Sequence, residues 1–184
     1  MLARFHSRQP QRGQRRGMTI VESVLVMGVF LLLLMGIFEY CRFLLVLHVT
    51  NNAARDGARY AAVRVNTDAA LVATVQQDIL NYTTMRMAHV QNNIQGYQVA
   101  VYALDQAGLD QTPAIIRAKP KTPGGPYPDP FNPSDPNAVP WNSVGFTERV
   151  GVTIKGTYKP LLPTFLLMPS SIPINITAMM AGES

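Results

Sequence analysis

The sequence predicts an α+β protein: a long N-terminal transmembrane helix that continues into a small domain with a second helix and a mainly antiparallel sheet of about three to four strands. Three observations carry this expectation. Residues 18–38 are apolar or small apart from Glu22, Thr19 and Ser23. Ala53, Ala54, Gly57, Ala58, Ala61 and Ala62 recur at three- and four-residue spacing, the period of a helix. The segments 96–104, 148–158 and 172–180 alternate with period two between turn-forming residues.

The first element is a leader, residues 1–17. It holds Arg4, Arg8, Arg12, Arg15 and Arg16 with no acid before Glu22, and has no apolar period able to bury a face, so it is expected to be disordered and cytoplasmic. The chain carries 16 Lys+Arg against 11 Asp+Glu, and those five arginines are the whole excess. From Met18 onward the charges balance, which removes the basic face that a nucleic-acid-binding domain needs. Cys41 is the single cysteine, which leaves no intramolecular disulfide and no multi-cysteine metal site; at the end of an apolar run it reads as a small packing residue.

The second element is a transmembrane helix over residues 18–47. At a rise of about 1.5 Å per residue, 18–38 alone reaches roughly 31 Å, the thickness of a bilayer core. Five arginines precede the run, whereas residues 42–58 contain Arg42 and Arg55, so the N-terminus is expected in the cytoplasm and the domain outside. A cleaved secretory signal fits poorly, because the run is long and ends in Glu39-Tyr40-Cys41-Arg42 without a small-x-small site. Glu22 is the anomaly, since a carboxylate in a spanning helix costs about 2.5–3.5 kcal/mol at the helix centre on insertion scales. Its bland explanation is the positive end of the helix dipole. Its functional explanation is spacing: a cut after Gly17 would place the new amino group of Met18 four residues away on the same helical face, where the two charges neutralise each other.

Gly17-Met18-Thr19-Ile20-Val21-Glu22 resembles the class III signal of type IV pilins and pseudopilins. In that family a prepilin peptidase cuts after the glycine, and the glutamate becomes the fifth mature residue. Gly36-Ile37-Phe38-Glu39-Tyr40-Cys41-Arg42 followed by Asn51-Asn52-Ala53-Ala54-Arg55-Asp56-Gly57-Ala58-Arg59-Tyr60-Ala61-Ala62 resembles TadE-like proteins of tight-adherence pilus systems. Tyr158-Lys159-Pro160-Leu161 and Met180-Ala181-Gly182-Glu183 resemble that family's closing turn and strand. Ser23 stands where Flp-type signals favour a tyrosine. The resemblance implies a processing site at Gly17, Met18 and Glu22, and helix-packing or assembly residues at Glu22, Glu39, Arg42, Ala54, Gly57, Ala58 and Ala61. It also implies that residues 48–184 form an extracytoplasmic, pilin-like α+β domain.

Within that domain, the small-residue face of 53–62 is expected to pack on the protein's own sheet, with a contact between subunits as the rival reading. Asp56 lies within helical reach of Arg59 and Tyr60. Thr67-Asp68 is expected to cap a second helix over 68–88, with Leu71, Val75, Ile79, Tyr82 and Met85 or Arg86 on its apolar face. Met85, Met87 and His89 near its end invite a soft-metal reading, but methionines at this spacing read as core filling. Strand 96–104 places Tyr97, Val99, Val101 and Ala103 opposite Gln98, Ala100 and Tyr102. Residues 120–140 hold eight prolines with Gly124-Gly125, a composition that admits no helix or central strand, and read as an exposed loop; Asp129 and Asp135 lack the spacing of a calcium loop. Strand 148–158 turns Val150, Val152 and Ile154 inward and Arg149, Thr153 and Lys155 outward. Residues 164–168, Thr-Phe-Leu-Leu-Met, form a short apolar patch that suits a bilayer surface or a partner, and 172–180 form the last strand.

No catalytic spacing emerges, and His6, His48 and His89 sit in no metal pattern, so neither an enzyme nor a cofactor is expected. The expected role is that of a minor pilin or pseudopilin assisting assembly of Flp-type pili. Its expected partners are a prepilin peptidase, other Tad minor pilins, inner-membrane platform proteins and the lipid bilayer, with no nucleic acid; its place is the bacterial inner membrane and the base of the pilus. The alternatives are an unprocessed single-pass anchor for a binding module, which would use the Pro-rich loop, and a minor pseudopilin of a type II secretion system.

Overall fold

The computed structural model describes residues 16–111, 114–132, 134–145, 148–161, 163 and 168–182, with side chains from residue 20 onward. The basic leader before Arg16, four residues of the 164–168 patch and Glu183 lie outside the described residues. The chain divides into two compact units, Met1–Phe38 and Glu39–Ser184. Helix α1, Arg16–Ala62, runs through the boundary.

In the first unit, the apolar side chains of 20–38 are exposed, with Ile20, Val24 and Leu25 each about two-thirds accessible. An exposed apolar stretch of this length is stable in water only if something apolar covers it. Mean hydropathy reaches 2.6 over 18 residues, none of them buried inside the protein, as a membrane span requires.

The second unit is built around strands β1 (Ile94–Ala103), β2 (Arg149–Tyr158) and β3 (Ile172–Ala181). They form one antiparallel sheet in the order β1-β2-β3. Val152 pairs with Val101 on one side and Ala178 on the other. The β1–β2 register slips between Gln95 and Gln98, and Gly96 supplies the left-handed backbone (φ 58°) that such a bulge needs. On one face Val150, Val152, Ile154, Val101, Ile174 and Ala178 join Ala53, Ala54, Ala58, Ala61 and Ala62 of α1 in a single core.

Helix α2, Val72–Arg86, starts four residues later than the Thr67-Asp68 cap implies, and no side chain caps it. Thr67 is used elsewhere: its hydroxyl donates to the Arg64 carbonyl at 2.6 Å, closing the turn after α1. The buried face of α2 matches the predicted one at Val75 and Ile79 and departs from it at its ends. Ile79 and Thr83 are its buried residues, with Val72 and Val75 packed on the core, while Leu71 and Met85 are exposed. Met87, just beyond α2, is fully buried as core filling. Asp56 pairs across the helices with Arg86 at 3.3 Å instead of along α1.

The second face of the sheet is covered too, which corrects two expectations. Thr153 is buried; its hydroxyl lies 2.7 Å from the Tyr102 hydroxyl and 2.6 Å from that of Thr177. The described residues of 120–140 have no helix or strand beyond one isolated bridge, as their prolines dictate, but they are not simply exposed. Pro128 is buried, and Phe131 packs on a small core of Ala100, Tyr102, Leu104 and Ala118. Cys41, expected to pack, is exposed.

Candidate functional site

In the first unit, the Gly17–Met18 bond lies in the first turn of α1, and Glu22 is exposed one turn further on.

In the second unit the chemistry concentrates where α1 meets the end of β2. Glu39 is 2% accessible although it is an acid directly following Phe38 in an apolar run. Its burial is matched by partners. The Tyr158 hydroxyl donates to Glu39 Oε1 at 2.5 Å, and the Leu161 N–H donates to the same oxygen at 3.3 Å. Arg42, one turn along α1, brings a guanidinium nitrogen to 4.0 Å from Glu39 Oε2 and donates to the Lys159 carbonyl at 3.4 Å. The Arg42 guanidinium also lies 5.3 Å from the centre of the Tyr158 ring, and Phe43 meets that ring from α1 at 5.2 Å. Burial and the hydrogen bond to Glu39 push the Tyr158 phenol up to about 12. The phenol therefore stays protonated and remains a donor throughout the physiological range. Two segments recognised separately in the sequence, Glu39-x-x-Arg42 and Tyr158-Lys159-Pro160-Leu161, are thus one structural device that clamps the end of β2 to α1.

The small-residue face begins about three turns of α1 beyond the clamp. Ala54, Gly57, Ala58 and Ala61 are all buried inside their own domain. A side chain at Gly57 would collide with the Thr83 hydroxyl of α2, so glycine sets how closely the two helices cross. Around that crossing, Tyr60 and Tyr82 stack at 4.6 Å and Arg64 lies 3.5 Å above the Tyr60 ring.

Trp141 was not singled out in the sequence. It is 2% accessible, donates from Nε1 to the Val72 carbonyl at 3.4 Å, and ties the end of the Pro-rich segment to the first residue of α2. Its being the single tryptophan was the available signal. Among the described residues, no group of three or more His, Cys, Asp or Glu side chains could hold a metal ion. Asp129 and Asp135 instead accept backbone N–H groups of their own loop: Phe131 to Asp129 at 3.0 Å, and Asn137 and Asp129 to Asp135 at 2.9 and 3.0 Å.

Neither curated proteins nor solved structures gave a match to this chain. The family model described as TadE-like protein matches residues 17–59. That span opens at Gly17, contains Glu22 and the Glu39 and Arg42 half of the clamp, and ends within the small-residue face. Over this span the chain is similar to TadE-like proteins, and its apolar helix is long enough to cross a membrane.

Proposed function

We propose that the chain is a minor pilin or pseudopilin that assists assembly of Flp-type pili, cut by a prepilin peptidase between Gly17 and Met18. The observation that carries this reading is the TadE-like match beginning at Gly17, directly before the stretch with Glu22 as fifth mature residue. In this reading the five leader arginines hold the N-terminus in the cytoplasm and the domain is periplasmic, at the inner membrane and the pilus base. Once the leader is removed, the Met18 amine and the Glu22 carboxylate lie one helical turn apart and offset each other's cost in the bilayer. They pair within one chain or between neighbouring copies. Other Tad minor pilins and platform proteins are its partners, and its work is structural and not enzymatic.

The test is the mass of the membrane-extracted protein from cells with an active prepilin peptidase. A chain beginning at Met18 is expected; an intact leader overturns the reading in favour of an uncut anchor, and a start elsewhere overturns the cut after Gly17. Glu22→Ala is expected to abolish pilus assembly while leaving membrane insertion intact. Normal pili would sink the charge-pair role.

A further inference from the structure

Beyond α1, the turn after β2 presents an apolar and a cationic side chain at the surface. The turn is held in place by the clamp, because the Leu161 N–H donates to Glu39 Oε1 at 3.3 Å and the Lys159 carbonyl accepts from Arg42 at 3.4 Å. Glu39 is covalently next to Phe38, the last residue of the membrane-length apolar run. Whatever depth the end of that run occupies, Leu161 is bonded to the next residue. Leu161 does not join the core; it is 59% exposed. Glu39 beside it is buried, and the charges that reach the surface there are cationic. Lys159 is exposed, and Arg42 is poorly satisfied: its nearest carboxylate oxygen is 4.0 Å away and its buried Nε has no hydrogen-bond partner. Tyr40, on the neighbouring turn of α1, is 58% exposed. An exposed leucine and tyrosine with a lysine and an under-satisfied arginine at the end of an apolar span match the composition of a headgroup layer, where aromatic rings anchor and cations meet phosphate.

We infer that the β2–β3 turn at Lys159–Leu161 is an interfacial anchor: Leu161 inserts at the acyl boundary while Lys159 and Arg42 take lipid phosphates. The bilayer is its occupant because the same few residues adjoin a span that already requires one. This inference rests on the reading of α1 as a membrane span, and its test separates the two.

The full chain is reconstituted into vesicles of phosphatidylcholine with phosphatidylglycerol, with lipids brominated either near the headgroup or near the chain ends. A Trp141→Phe background removes the native tryptophan, and reporters are placed by Leu161→Trp or, as reference, Leu33→Trp. The Leu161→Trp reporter is expected to be quenched several-fold more by shallow than by deep bromines, and the Leu33→Trp reporter by the deep ones. Quenching of Leu33→Trp with none of Leu161→Trp overturns the anchor and leaves the span standing. Absence of quenching at both overturns the span and the anchor together. Lys159→Glu, which alters an exposed side chain, is expected to weaken shallow quenching of Leu161→Trp in anionic vesicles and not in pure phosphatidylcholine. Shallow quenching unchanged by Lys159→Glu in the anionic vesicles would remove the contact between Lys159 and anionic headgroups from the assignment.

Discussion

Tyr158→Phe isolates the clamp, because it deletes one hydroxyl and keeps the ring that Phe43 meets at 5.2 Å and over which Arg42 lies. In the wild type, Glu39 Oε1 accepts from Tyr158 at 2.5 Å and from Leu161 at 3.3 Å, while Oε2 has Arg42 only at 4.0 Å. The substitution removes the shorter bond and leaves a 2% accessible carboxylate with one long bond and a distant cation. Hydrogen bonds to charged groups contribute about 1.5–3 kcal/mol, and a buried acceptor left short of partners falls in the same range. We expect a loss of about 2 kcal/mol, with Tm lower by roughly 4–8 °C for a domain of this size. The assay is denaturant unfolding of the detergent-solubilised full chain, followed by the fluorescence of Trp141, the single tryptophan. Glu39→Gln and the double variant complete a cycle, with an expected coupling of about 1 kcal/mol or more. A Tyr158→Phe loss under about 0.5 kcal/mol, or a coupling near zero, would refute the view that the pair holds β2 on α1.

Other consequences use the same unfolding assay. Gly57→Val would drive a branched side chain into the Thr83 hydroxyl and is expected to cost about 1–3 kcal/mol, with part of a Gly57→Ala loss recovered in a Thr83→Ala background. Trp141→Ala is expected to cost about 3–5 kcal/mol and to expose residues 120–140 to limited proteolysis, which here serves as the readout in place of fluorescence. The Tyr158 phenol sits at about 12 in the fold against an ordinary value of about 10. Its contribution is therefore fully present below pH 10 and is lost as pH rises towards 12, and Tyr158→Phe should remove that alkaline limb. At Glu148, burial raises the carboxyl, but hydrogen bonds from Lys119 at 2.7 Å and from the Gly145 N–H at 3.0 Å outweigh it and hold the group below the ordinary carboxylate range. Its stabilisation is present above that range and disappears as pH falls through the depressed value; Glu148→Gln should flatten the acid limb.

Much of this architecture was legible in the sequence because it rests on period. Val150, Val152 and Ile154 alternate and are buried together, and the alanines of 53–62 recur at helical spacing and face one core. Misreadings arose where a residue had two local uses. Thr67 looks like a cap for α2, but its hydroxyl closes the turn behind α1. Thr153 looks outward by alternation, yet Tyr102, Thr177 and the covered second face bury it with its hydrogen bonds satisfied. The proline-rich stretch read as surface because proline forbids ladders; it says nothing about whether an irregular segment lies on a sheet, as Pro128 and Phe131 do. The clamp was half legible. Glu39, Arg42 and Tyr158 each stood out, but no periodicity links residues 119 positions apart.

That separation has a consequence in time. Glu39 and the alanine face of α1 emerge from the ribosome early, whereas Tyr158, which neutralises the cost of burying Glu39, follows 119 residues later. At roughly 5–20 residues per second, synthesis leaves the two halves apart for on the order of ten seconds. During that interval α1 has its carboxylate and small-residue face without the sheet that buries them. The clamp closes only after β2 has been made, so the domain acquires its native core late and through contacts of high sequence separation, the slow class of folding reactions. A nascent chain truncated before residue 158 therefore lacks β3 and leaves Glu39 without its tyrosine partner, which makes it a ready substrate for chaperones and proteases.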